Sequence, residues 1–128
     1  MQIHQSAEDY LETILMLNQR MGRVRSIDVV NELGYTKASV SIAMKKLREN
    51  GYIAVDGEGN LTLLEPGREI AERIYSRHRL LTHFFAQLGV DEEVAAEDAC
   101  KAEHILSEQT LEKIREYALL HDAQDSVK

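Results

Sequence analysis

One cysteine and one proline stand in 128 residues, and no apolar run approaches the roughly 20 residues of a membrane-spanning helix. A lone thiol cannot close an internal disulfide, so Cys100 is a packing residue, a ligand or a reactive group, and no oxidising compartment is implied. Met1-Gln2-Ile3-His4 leads straight into an amphipathic segment without a basic and then apolar leader, so the chain is expected to work in the cytoplasm, away from membranes. There is no internal repeat and no low-complexity tract. The basic excess that phosphate binding usually needs is also missing, the formal net charge being -7. With 44% apolar and 29% charged residues, the chain nevertheless suits one compact core or two small lobes and is not a disordered sequence.

The shortage of positive charge is uneven. Residues 1–64 carry seven Lys/Arg against eight Asp/Glu, whereas residues 65–128 carry eight against fourteen. Within residues 20–48 there are seven bases and only two acids, Asp28 and Glu32. The sequence therefore joins a locally basic module to an acidic one.

Helical patterns run through most of the chain. Ser6 is expected to cap a first helix, SAEDYLETILMLNQR, with Leu11, Ile14, Leu15 and Asn18 on one face. RSIDVVNELG predicts a shorter helix capped by Ser26 and stopped by Gly34. Thr36 then caps KASVSIAMKKLREN, where Val40, Ala43, Met44 and Leu47 recur at helical spacing and Gly51 marks the end. YIAV and LTLL, joined by Asp56-Gly57-Glu58-Gly59-Asn60, predict a β-hairpin. Pro66 marks a break before a helix from Arg68 to Leu88, with two more helices over residues 92–106 and 108–120 and a frayed tail AQDSVK. The expected fold class is mainly α. A winged helix-turn-helix with a small β-hairpin wing occupies residues 1–66, and an all-α domain occupies residues 67–128.

That order of elements implies DNA binding. If Val40, Ala43, Met44 and Leu47 pack inward, then Thr36, Lys37, Ser39, Ser41, Ile42, Lys45 and Lys46 face out, on a helix narrow enough for the major groove. Hydroxyls near the helix start can bond base edges or phosphates, while the lysines, Arg25 and Arg48 neutralise phosphates. The wing loop, Gly57 to Asn60, could lie along the DNA backbone, although Asp56 and Glu58 make it a poor phosphate contact. The bland alternative is a winged helix used for protein contacts.

The acidic half holds an unusual turn. Cys100, Glu103 and His104 fall at i, i+3 and i+4, so in a continuous helix a thiol, a carboxylate and an imidazole share one face. Such a set can hold a divalent transition metal, or it can be ordinary packing. His78 lies within an apolar stripe of Ile70, Ile74, Leu81, Phe85 and Leu88, where a histidine is usually a core residue with one satisfied nitrogen. Asp9 and Glu12, at i and i+3 of the first helix, are candidate partners from elsewhere; Ser6-Ala7-Glu8-Asp9 also fits a capping box, and Glu12 also fits a solvated charge.

Taken together, E-D-Y-L-E-T-I at 8–14, K-K-L-R-E-N-G-Y-I at 45–53, S-R-H-R-L-L at 76–81, L-G-V-D-E-E at 88–93 and C-K-A-E-H-I-L-S at 100–107 resemble the metal-dependent repressors of the diphtheria toxin repressor and manganese transport repressor (DtxR/MntR) family. The resemblance covers essentially the whole chain and implies a homodimer that binds palindromic double-stranded operator DNA when loaded with Fe(II) or Mn(II). It places metal ligands at Asp9, Glu12, His78, Cys100, Glu103 and His104. The manganese branch has glutamate where Cys100 stands and the iron branch has cysteine, which makes the set a hybrid. Thr82 and Ala96 occupy positions where the iron branch carries further ligands of an ancillary site, so that site is expected to be lost. Ile42 replaces a glutamine of the iron branch, and operator preference does not carry over. A chain of 128 residues is expected to be the short two-domain form, without a C-terminal SH3-like domain.

On this reading the protein is not an enzyme but a repressor of metal-uptake genes, with one or two ions per protomer. Thiolate from Cys100 tilts the expectation slightly to Fe(II) over Mn(II), with Co(II) or Zn(II) as substitutes. Leu106, Leu111, Ile114, Tyr117 and Leu120 are the expected dimer surface. The alternative is a metal-independent winged-helix regulator sensing a small organic ligand, with Cys100 and His78 buried in packing.

Overall fold

A computed structural model describes the backbone of residues 5–126 and the side chains of residues 6–122. Among the described residues there are helices α1 (Gln5–Met21), α2 (Ser26–Leu33), α3 (Lys37–Glu49), α4 (Glu65–Gln87), α5 (Glu92–Ala102) and α6 (Glu108–Ser126), with strands β1 (Ile53–Val55) and β2 (Leu61–Leu63) between α3 and α4. The chain divides within α4 into two compact units, Met1–Arg73 and Ile74–Lys128.

In the first unit α1 is the central element, with α2, α3 and β2 against it. Tyr10, Leu11, Glu12, Thr13, Ile14, Leu15 and Leu17 are all buried, a wider surface than the single face predicted. A helix covered on several sides shows this pattern because side chains off the main stripe also lose water. Ser6 lies inside α1 and is not its cap.

Capping explains the next elements. Arg25, in extended conformation, precedes α2, and the Asp28 carboxylate accepts its N–H at 2.9 Å. Asp28 therefore ties down the helix start, the role expected of Ser26, because a carboxylate at the third helical position reaches back to the cap residue's N–H. Gly34 closes α2 in the left-handed region (φ 73), donating to Val30 O at 2.8 Å. Thr36 Oγ1 accepts Ser39 N–H at 3.1 Å, capping α3 as expected, and Val40, Met44 and Leu47 are buried beneath it.

The wing is an antiparallel hairpin in which Ile53 pairs with Leu63 and Val55 with Leu61. Ile53, Leu61 and Leu63 are buried while Thr62 points out, the alternation of a one-sided strand pair. Leu61 N–H donates to Val24 O at 2.7 Å and anchors the hairpin to the α1–α2 connection.

Helix α4 begins three residues before the expected start, at Glu65. Pro66 sits in its first turn, where no intrahelical N–H is needed, so proline opens this helix instead of marking a break before it. Gly67 is buried there because a Cβ would collide with the Tyr52 carbonyl oxygen and lie 3.0 Å from Tyr52 C and 3.3 Å from Leu11 Cδ2.

In the second unit Leu81, Ala99 and Leu111 form a core, with Leu80, Phe85, Ala102, Leu106 and Ile114 packed against it. Of the residues expected on a dimer surface, Leu111 is buried within the protomer, and Leu106 and Ile114 are half-buried against its core. Tyr117 and Leu120 are exposed as expected, joined by Leu119. The α4 stripe ends at Phe85, since Leu88 lies past the helix end and is 60% exposed. Helix α5 stops at Ala102, four residues early, and α6 runs through residues 123–126, where a frayed tail was expected.

Candidate metal centre and nucleic-acid interface

Burial on one side of α3 leaves Thr36, Lys37, Ser39, Ser41, Ile42, Lys45 and Lys46 exposed on the other. Arg25 is exposed at the start of α2. Thr36 Oγ1 is engaged by Ser39, accepting its N–H and bonding its hydroxyl at 2.9 Å, so Thr36 shapes the helix start. Ser26, singled out in the sequence only as a helix cap, lines one cleft with Ser41, Lys45 and Arg48.

Acidic residues of the wing are used internally. Asp56 Oδ1 accepts the N–H groups of Glu58 (2.8 Å) and Asn60 (2.9 Å), and Oδ2 accepts from the Asn60 amide at 3.0 Å. The Asn60 side-chain amide first, and then the backbone N–H groups, hold the Asp56 carboxyl below the usual carboxylate range. Arg23 adds to this and pairs with Glu58 at 3.9 Å. The negative charge thereby closes the loop.

Candidate metal ligands occur in both units. On α1, Asp9 and Glu12 lie one turn apart; Glu12 is 6% exposed and Asp9 is half-buried. With Ser6 inside the helix, the capping-box explanation of Asp9 lapses. Burial pushes the neighbouring Tyr10 hydroxyl up, with the charges of Tyr35 and Asp9 adding to the effect.

In the second unit α4 presents His78, and the turn after α5 presents Glu103 and His104. Glu103 is fully buried, with Oε2 3.0 Å from His78 Nδ1 and Oε1 3.4 Å from His104 Nε2. Its carboxylate is thus shared between two imidazoles. Arg77 Nη1 donates to the Glu103 carbonyl oxygen at 3.3 Å, and its other nitrogen pairs with Glu108. Arg77 was missed by sequence reasoning, although its place beside His78 in S-R-H-R was the available signal. Cys100 is exposed, and no compact group of three potential ligands among the described residues includes it.

The donors of the second unit, His78, Glu103 and His104, are of a kind that fits a divalent cation. Among the described residues, Glu12 and Glu103 are the charged side chains that are buried. A buried carboxylate is costly unless it is paired or coordinates a metal. Carboxylate oxygen with imidazole nitrogen suits Mn(II) and Fe(II), the oxygens favouring the harder ion. Thr82 Oγ1 donates to His78 O at 2.7 Å and is occupied within its own helix.

Two family models match the chain in succession. Residues 2–61 match the family model of the iron dependent repressor N-terminal DNA binding domain, and residues 64–120 match that of the iron dependent repressor metal binding and dimerisation domain. The HTH-type transcriptional regulator MntR of Bacillus subtilis is 32% identical over 123 residues, covering 96% of this chain and 87% of its own. An uncharacterized HTH-type transcriptional regulator of Methanocaldococcus jannaschii is 35% identical over 113 residues, covering 87% of this chain and 90% of its own. A manganese-dependent transcriptional repressor solved with manganese superposes with a TM-score of 0.80 at 27% identity over 88% of this chain. The chain spans about half of that solved protein, 52% of its length. The IdeR structure of T. acidophilum, also at TM-score 0.80 but 23% identical, shares the fold and covers 91% of this chain and 55% of that one. With both domain models matched in order and close relatives covered nearly end to end, the chain belongs to the DtxR/MntR family of iron- and manganese-dependent transcriptional repressors.

Proposed function

We propose that this protein is a cytoplasmic, metal-dependent repressor of metal-uptake genes that binds a palindromic operator as a homodimer. The observation that carries this reading is the pair of buried carboxylates, Glu12 and Glu103, one in each unit. Asp9, Glu12, His78, Glu103 and His104 form the proposed ligand set. Cys100 belongs to it through its spacing, three residues before Glu103, and through the resemblance to the iron branch. When bound, a divalent cation supplies the positive charge that offsets this concentration of carboxylates.

The residues do the rest. Asp9 and Glu12 are carried by the unit that bears α3, whereas His78, Glu103 and His104 are carried by the other. Ligands drawn from both couple the placement of the recognition helix to ligation, and mutual repulsion among unloaded carboxylates favours a looser ensemble. Linkage requires operator DNA to raise metal affinity by the factor that metal raises DNA affinity, typically about 1–3 kcal/mol. Glu103 offers one oxygen to each of two imidazoles, an arrangement that accommodates two ions per protomer. Oxygen ligands from Asp9, Glu12 and Glu103 suit Mn(II), and a thiolate ligand from Cys100 suits Fe(II). Exposed Tyr117, Leu119 and Leu120 on α6 supply apolar surface for the dimer.

The experiment is operator binding by fluorescence anisotropy, using a duplex selected from random sequence, titrated with Mn(II), anaerobic Fe(II) and then EDTA. Binding gained with metal and lost with chelator is expected. Binding indifferent to EDTA would instead support a metal-independent regulator sensing an organic ligand. A thiolate-to-cobalt charge-transfer band in the Co(II) protein, lost in Cys100→Ser, tests Cys100.

A further inference from the structure

The outward face of α3 is not uniformly polar. Ile42 is 59% exposed at its middle, and Ala38, one turn earlier, is exposed as well. Single surface isoleucines are ordinary. Placement distinguishes this one: the surrounding exposed residues are Ser39, Ser41, Lys45 and Lys46, and the core is already served from the opposite side by Val40, Met44 and Leu47. Folding does not need Ile42.

We infer that Ile42, supported by Ala38, reads operator sequence by packing on a thymine 5-methyl group in the major groove. This rests on the proposed function, in which α3 enters that groove. The thymine methyl is the apolar feature of the base edges displayed there, and it is read by apolar contact. Lys37, Lys45, Lys46 and Arg48 supply attraction to phosphates, which brings the helix in but identifies no base. From Lys37 to Leu47 the helix has no Asn, Gln or Arg, the residues whose flat heads make two hydrogen bonds to adenine or guanine. Seryl hydroxyls bond donors and acceptors alike and discriminate weakly. A lysine can bond guanine, but Lys45 and Lys46 lie toward the far end of the helix. Methyl contact at Ile42 is therefore the sharpest base discrimination available to the centre of this face.

The test uses the full chain with Mn(II). Duplexes enriched from a random library are resynthesised with deoxyuridine replacing thymine, one position at a time, which removes only the methyl group. For the natural protein, one position per half-site is expected to lose about fourfold in affinity, the worth of one buried methyl, and the symmetric double replacement about fifteenfold. Ile42→Ala, with an unchanged melting temperature, should bind the thymine duplex more weakly and ignore the replacement. Ile42→Val should keep most of the discrimination. A metal-dependent sequence preference indifferent to every uracil, or full discrimination retained by Ile42→Ala, overturns this inference alone. Enrichment of no sequence with Mn(II) overturns the regulator reading and this inference with it.

Discussion

Glu103→Gln separates a ligating carboxylate from one that is merely paired. The substitution preserves shape and removes the charge of a side chain with no exposed surface, 3.0 Å from one imidazole and 3.4 Å from another. If Glu103 only paired with those histidines, losing one partner of a buried pair would cost roughly 3–5 kcal/mol. For a chain of this length that is a fall of about 10–20 °C in melting temperature, with metal or without. If Glu103 is also a ligand, the metal-free variant shows that same loss, and a further one is added. The added deficit appears on loading. Wild-type protein at Mn(II) a hundredfold above its Kd gains about 2.7 kcal/mol, or about 10 °C, whereas the variant gains almost nothing. Calorimetry of both proteins in EDTA and in excess Mn(II) measures all four values. An equal loss in both conditions would refute the ligand role.

Three further outcomes follow from local geometry. Asn60→Ala should move the Asp56 carboxyl back up toward the usual value near ~3.9, read by NMR titration; because its folded pKa is depressed, the hairpin gains stability above the unfolded value and loses it as pH falls through the folded one, and an unmoved titration contradicts this. Gly67→Ala should lower stability by about 1–3 kcal/mol in urea melts, since the added methyl meets the Tyr52 carbonyl; an unchanged midpoint refutes the close packing. Arg77→Ala should weaken Mn(II) binding about tenfold in a chelator competition, as Glu103 loses its backbone anchor, with Arg77→Lys only partly restoring it; unchanged affinity removes Arg77 from the site's support.

Much of the first unit was legible because its signals are local. Thr36 as a cap, the Val40, Met44 and Leu47 stripe and the two-glycine hairpin loop each state their structure within a few residues. The failures are cases where two local signals compete. Ser26 and Asp28 both suit a helix start, and the carboxylate prevails by reaching back to Arg25 N–H. Pro66 reads equally as a break or as a first-turn residue. On α6 the apolar residues fall on two faces, and periodicity cannot say which one belongs to the protomer's own core. Leu111, Ile114 and Ala118 take that side, leaving Tyr117, Leu119 and Leu120 outside.

At the Cys100 turn the spacing leaves two readings open, ligand and packing. Three residues at i, i+3 and i+4 share a face only while the helix continues. Here α5 ends at Ala102, but Glu103 keeps helical φ and ψ and donates its N–H to Ala99 O at 2.9 Å, so it continues the buried face of Ala95 and Ala99, while Cys100 is exposed. What then selects Glu103 as the centre of the site is its cost: a carboxylate without exposure is retained only where something compensates it. Arg77, one of the two arginines flanking His78, holds the Glu103 backbone carbonyl and pairs with Glu108, while the carboxylate oxygens face imidazoles. The turn thus brings the donor atoms of Glu103 to two imidazoles, and Arg77 fixes the backbone that carries them.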